Sequence, residues 1–470
     1  MGEEIIKTQE REIKYSFITG ILIFLFSSFS VLGIENNQTE ADSIISRIKT
    51  PAFPEHEFNL LDYGAKADGN TDCTEAINNA IKQCSEKGGG KVVVPAGVFL
   101  TGAIHLEDNV NLYISDGGVL KFSTDPQKYL PLVFTRWEGV ECMNYSPLIY
   151  AFGKKNIAVT GSGILDGQGS EEDWWPWKGL AEHGWKEGMP EQSAGRTRLF
   201  TMAENNVSPE KRIMGEGSYL RPPFIQFYKC SNILIEGVTI KNAPFWFVHP
   251  VLSENVIIKN VKINGAGPNN DGCDPESSKE VFITGCEFNN GDDCIAIKSG
   301  RGTDGRRVNE ACANIVIEDC LMKDGHGGVV IGSEAAGGIR NVYVNNCEMN
   351  SPNLQRALRI KSNSLRGGVI ENIYLNNIKV NEVSQEVILI DCFYEQENGG
   401  KYLPDIRNIN IENVTSEKSK YAVWVKAFKE MPVRGLFIKN CRFNNVEKKN
   451  VLENTEQFKT ENVYINGEIQ

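Results

Sequence analysis

The chain has no low-complexity block, no CxxC pair and no excess of positive charge, and each absence removes a class of protein. Without a compositional break to act as a linker, its 470 residues fit one large elongated domain as well as two compact ones. Without CxxC there is no structural zinc pattern. A formal charge of −12 argues against nucleic acid as a partner, and it means a polyanionic substrate must be attracted locally, against the field of the whole molecule. One long apolar run stands out, residues 17–34, preceded by Lys7, Arg11 and Lys14 and containing Val31-Leu32-Gly33, as an export signal would. It is also about long enough to span a bilayer, so an uncleaved anchor is the alternative. No Cys follows it to carry a lipid. The expected layout is therefore a signal peptide or anchor over 1–33, an N-terminal linker over 34–57 and one domain over 58–470, secreted or periplasmic.

Twelve cysteines in an exported chain would ordinarily suggest disulfides. Cys286, Cys320, Cys347 and Cys441, however, hold the same place in a repeated motif, where a small buried hydrophobe would serve equally well. Cys73 and Cys84 could pair or could pack within one helix. The repeat itself is a short Asn-apolar-x-apolar segment, then two polar or small residues and a second apolar pair. It reads NILIEGVTI from Asn232, NVIIKNVKI from Asn255, EVFITGCEF from Glu280, NIVIEDCLM from Asn314, NVYVNNCEM from Asn341, NIYLNNIKV from Asn372, NINIENVTS from Asn408 and GLFIKNCRF from Gly435, with an earlier copy at Asn156. Starts from Asn232 to Gly435 lie 23, 25, 34, 27, 31, 36 and 27 residues apart. Alternation of period two and β-branched enrichment make each copy a strand, and the apolar i, i+3, i+4, i+7 spacing of a helical solenoid is missing. An all-β parallel β-helix follows, one coil per repeat, with asparagines stacked at the corners. Upstream, residues 59–120 read as a small cap: a strand, a Gly/Asp-rich turn, a helix beginning near Thr71 with Asp72 and Glu75 at its N-terminus, then buried strands. The stretch 174–221, rich in Trp, Gly and charge, is expected to be an ordered loop over a groove.

Candidate chemistry lies between Asn269 and Arg301, NNDGCDPESSKEVFITGCEFNNGDDCIAIKSGR, where Asp271 and the pair Asp292-Asp293 fall one coil apart. Glycoside hydrolysis needs one carboxylic acid to protonate the leaving oxygen and one carboxylate to activate water or attack carbon. Carboxylates converging on one face raise each other's pKa, so that one stays protonated near neutrality. Alone, an Asp-Asp pair is more often a solvated turn. Gly325-His326-Gly327 in the next coil, its glycines exposing the ring, and Arg359-Ile360-Lys361 one coil further change that weighting. Residues two apart in a strand share a face, so Arg359 and Lys361 offer a fork and a point charge to one carboxylate.

The ordered set Asn269-Asn270-Asp271, Asp292-Asp293, Gly325-His326-Gly327 and Arg359-Ile360-Lys361 resembles the signature of glycoside hydrolase family 28, the polygalacturonases, over roughly residue 58 to the C-terminus. The resemblance implies a right-handed parallel β-helix and inverting hydrolysis of galacturonosyl linkages in pectin, with no metal or other cofactor. It implies Asp292 as general acid, Asp271 and Asp293 holding and deprotonating the water, and His326 supporting the acid's protonation state. Arg359, Lys361 and Asn269 would bind substrate, and Tyr394 matches the aromatic residue that lines the family's cleft. Asn270 departs from the usual Thr, and the polar turn 301–313 lengthens the step from Asp293 to His326. Inversion comes from the resemblance alone, since coils about 4.8 Å apart would by themselves lean towards retention. A pectic polysaccharide or oligogalacturonide and a monomeric enzyme are expected. The alternatives are a rhamnogalacturonan-directed relative, a metal-dependent lyase, which GHG and RIK fit poorly, and a non-catalytic sugar-binding β-helix, which needs no paired aspartates. Trp174, Trp175, Trp177 and Trp185 in the insertion could close one end of the groove and confine the enzyme to chain ends, or could simply be packed.

Overall fold

Each repeat opens on a backbone conformation that asparagine and glycine tolerate best. In the computed structural model, which describes residues 38–396 and 399–470, Asn156, Asn232, Asn255, Asn314, Asn341, Asn372 and Asn408 all lie at φ between 53° and 60°. Their amides form the expected ladder. Nδ2 of Asn232 donates to Asn156 and that of Asn255 to Asn232, both at 2.8 Å. Asn341 donates to Asn314 and Asn372 to Asn341, both at 2.9 Å, and Asn408 donates to Asn372 at 2.6 Å. Glu280 replaces one asparagine at φ 52° and accepts from Asn314 at 2.8 Å.

The strands that follow these corners pair in parallel and in register. Ile157, Ile233, Val256, Val281, Ile315, Val342, Ile373, Ile409 and Leu436 form one continuous inward column, and all are fully buried. Leu165, Ile240, Ile263, Phe288, Met322 and Met349 form a second column on the next face. Each such side chain contributes roughly 1.5–3 kcal/mol of burial, which is why a chain of short strands needs many coils to be stable. The fold is a right-handed parallel β-helix. A third run of strands, Ile295–Ile297, Val329–Gly332, Leu358–Lys361 and Glu386–Asp391, stacks along the face that carries the polar motifs. All twelve cysteines are free and buried, and Cys286, Cys320, Cys347 and Cys441 belong to the core.

At the ends the details differ from the sequence reading. The cap helix is Thr74–Glu86, three residues later than expected. Asp68 accepts from the backbone of Asn70 and Thr71 and holds that segment as a turn and strand, leaving Asp72 to accept from Thr74 at 2.9 Å. Residues 34–57 are not wholly a linker: 38–47 are helical, and Ile48 and Phe53 pack on the outward Ala158, Leu234 and Ile257. The proposed export signal at 17–34 lies outside the described residues. At the C-terminus Tyr464–Ile465 pairs antiparallel with Glu468–Ile469 through Asn466-Gly467, both at positive φ, a two-residue turn that folds the last strand back on the solenoid's edge.

Candidate active site

Strand register brings the polar motifs together. Cys273, Ile295, Val329 and Leu358 are successive partners along the third face. Counting two residues back stacks Asp271, Asp293 and Gly327 on adjacent coils, and counting three back stacks Asp292 on His326. Nδ1 of His326 lies 2.9 Å from Oδ1 of Asp292. The glycines of GHG do more than expose the ring. Gly325 sits at φ 135°, where a Cβ would lie 2.2 Å from the Asp292 carbonyl, so only glycine lets the His326 N–H reach that carbonyl at 3.1 Å.

Asp271, Asp292, Asp293, His326, Arg359 and Lys361 line one open cavity of about 520 Å³, with Asn269 and Tyr394 also on its wall. Every residue given a catalytic or substrate-binding role from the sequence therefore reaches the same site. Asn270 does not: it is fully buried, receives the Gly267 N–H at 2.9 Å and donates to the carbonyls of Ala243 and Phe245, holding the turn that presents Asp271.

The three aspartates are electrostatically unequal. Burial first, and the charge of Asp292 second, push the Asp271 carboxyl up to about 8. Its Oδ1 is buried with no hydrogen-bond partner, and Lys298 stands 3.6 Å from Oδ2. Burial pushes Asp292 up too, but the hydrogen bond and charge of His326, with Lys361 and Arg359 behind them, outweigh it and hold Asp292 below the usual carboxylate range. The same hydrogen bond raises His326. At Asp293 burial is again opposed, chiefly by Lys361 at 2.6 Å and Arg359 at 3.3 Å, and the carboxyl lies low. The environment thus favours the protonated forms of Asp271 and His326 and the ionised form of Asp292, the carboxyl expected to act as acid.

A second difference concerns the cations. Arg359 and Lys361 do share one face, but both are engaged by Asp293 instead of standing open. Residues that sequence reasoning missed also reach the cavity, namely Lys178, Arg196, Lys298, Arg301, Arg356 and Trp246. Lys298 lies between Asp271, Asp274 and Glu334 at 3.4–3.6 Å with its Nζ 4.6 Å above the Trp246 ring. In all, seven Lys or Arg side chains face six Asp or Glu in the wall, a local balance that reverses the −12 of the chain. The tryptophans of the insertion are absent from the wall among the described residues. Trp174 is buried, and Trp175 donates to the Ala243 carbonyl at 2.9 Å. Nor is the insertion only a loop, since Ser193–Glu204 is an α-helix.

Comparison with known proteins identifies relatives of the chain. A family model described as glycosyl hydrolases family 28 matches residues 210–462. An exopolygalacturonase of known structure from Thermotoga maritima is 47% identical, with a TM-score of 0.89, covering 92% of this chain and 96% of that one. The chain belongs to glycosyl hydrolases family 28. Further relatives of this family 28 enzyme are a probable polygalacturonase from Vitis vinifera, 27% identical over 82% of this chain and 74% of the relative, and an exo-poly-alpha-D-galacturonosidase from Dickeya chrysanthemi, 26% identical over 81% of this chain and 65% of the relative. The cap, residues 57–120, matches a model described as rhamnogalacturonase A/epimerase, pectate lyase-like. Fold alone would not have decided function, because a surface adhesin of Streptococcus pneumoniae shares it at a TM-score of 0.50 and 16% identity.

Proposed function

We propose that this glycoside hydrolase, of the polygalacturonase type, removes galacturonate from chain ends of pectin by inverting hydrolysis of α-1,4-galacturonosyl linkages. The observation that carries the reading is the convergence of Asp271, Asp292, Asp293 and His326 in a cavity where cations outnumber carboxylates. In the cycle, Asp292 gives its proton to the glycosidic oxygen as the bond to the anomeric carbon breaks, and His326, within hydrogen-bond reach, supplies that proton to Asp292. Asp293, ionised, accepts a proton from the attacking water, and Asp271, holding its own proton, orients that water. Coupled groups of this kind titrate as a unit, so the protonation needed for turnover belongs to the cluster. Inversion rests on the family resemblance. Action at chain ends is supported by the exo-acting names of the relatives and by the insertion, which places Lys178 and Arg196 on the wall.

The test is product analysis on polygalacturonic acid with wild type and Asp292→Asn, following reducing ends and absorbance of unsaturated products. Reducing sugar without unsaturation, lost in the variant, with monomer as the early product, is expected. Unsaturated product would make the enzyme a lyase, and mixed long oligomers would remove the exo assignment.

A further inference from the structure

Of the seven Lys and Arg side chains on the cavity wall, six have a carboxylate within 4 Å, among the described residues: Arg196 has Glu138, Lys298 and Arg301 have Glu334, Arg356 has Glu386, and Arg359 and Lys361 have Asp293. Lys178 has none. Its Nζ donates to Oδ1 of Asn269 at 3.1 Å, and the same oxygen already receives Nη2 of Arg221 at 2.8 Å. Arg221, fully buried, spends three more donors on Gln192 and on the carbonyls of Pro244 and Pro268, again without a carboxylate. Two cations thus converge on one neutral amide, and an ammonium has three donors of which one is spent there.

The insertion is built to hold Lys178 in place. It ends the short turn Trp175–Lys178. Trp174 stands edge-on to Tyr129 and to Trp177, and Trp177 to Tyr219, with ring centroids 5.1–5.6 Å apart. The aromatic residues act as the mounting of a charged residue. Burial holds the Lys178 ammonium and the Arg221 guanidinium below their ordinary ranges, Arg221 to about 9, a cost that an anion would offset.

We infer that Lys178, backed by Arg221 through Asn269, is a carboxylate-recognition site for a uronate unit, and that it, more than the Asp293-bound Arg359 and Lys361, selects the acid over its neutral ester. The inference rests on the proposed uronate substrate. A compact point charge with spare donors suits one carboxylate, and its position beside Asn269 places that carboxylate next to the reacting bond.

Steady-state kinetics on trigalacturonate with Lys178→Met and Lys178→Arg tests it. Loss of a charge-assisted hydrogen bond raises KM roughly tenfold or more in Lys178→Met, with kcat within about threefold, and Lys178→Arg recovers most of the loss. KM within about threefold of wild type in Lys178→Met overturns the site, as does Lys178→Arg as poor as Lys178→Met, or a fall confined to kcat. If wild type leaves trigalacturonate intact, the substrate reading fails. A calorimetric titration with galacturonate then decides the site: binding to wild type at least about tenfold tighter than to Lys178→Met upholds it, and equal or absent binding overturns it.

Discussion

Replacing Asp271 by Asn should make the enzyme more stable as it makes it less active, and the gain should appear only as pH rises. An acid whose native pKa exceeds its unfolded value holds its proton more tightly when folded. The native state is therefore favoured at low pH and loses ground as the unfolded chain ionises. For Asp271 the window runs from 3.8 to about 8. At about 1.36 kcal/mol per pH unit the buried carboxyl costs up to about 6 kcal/mol at the top of that window. Asn has the same shape and no proton to lose, and Lys298 keeps Asp274 and Glu334 as partners. For a chain of this size that free energy corresponds to roughly 6 °C in Tm. The assay is thermal unfolding of wild type and Asp271→Asn at half-unit intervals from pH 4 to 9. The difference in Tm should climb with pH and level off near pH 8, while turnover falls by roughly 100-fold or more as an amide of different donor geometry replaces the hydroxyl that orients the water. A Tm difference that stays flat from pH 4 to 8 would refute the claim that Asp271 retains its proton.

Two further expectations follow from the same distances. In the proposed mechanism Asp293 must be ionised to take a proton from water, and Lys361 and Arg359 are what hold its pKa down. Lys361→Met should therefore move the acid limb of a bell-shaped kcat/KM profile to higher pH, and an unmoved limb would separate Asp293 from that limb. In the corner ladder, Asn341 accepts from Asn372, donates to Asn314 and lies at φ 58°. Asn341→Ala should lose both bonds, about 1–3 kcal/mol, and add roughly 1–2 kcal/mol of left-handed strain. Asn341→Gly should lose the bonds alone, so equal destabilisation of the two in urea unfolding would contradict the backbone argument.

The residues that failed to be legible share a physical cause. Lys178 and Arg196 come from a stretch without period, so nothing in the order of residues tells where an irregular segment aims a side chain. Lys298 and Arg301 lie just beyond the strand Ile295–Ile297, where a lysine or arginine is ordinarily a solvated one. The tryptophans misled for the opposite reason. Their faces suit sugar rings, yet here they pack to steady a turn.

What the sequence by itself determined is whatever depends on repetition. Alternating apolar residues force strands, asparagine at most repeat starts selects the left-handed corner, and spacing of one coil places Asp271, Asp292-Asp293, His326 and Arg359 on successive coils of one face. Those are local preferences multiplied along the chain, so they survive reading in one dimension. Only the tertiary structure decided how charge is shared among them. Which carboxyl keeps its proton, which cation is already taken by Asp293 and which is left beside Asn269 depend on burial and on separations of about 3 Å between residues as far apart in the chain as Lys361 and Asp293 or Lys178 and Asn269. Electrostatic energy inside a protein varies steeply over such distances, and side-chain separations across coils are set by the whole stack.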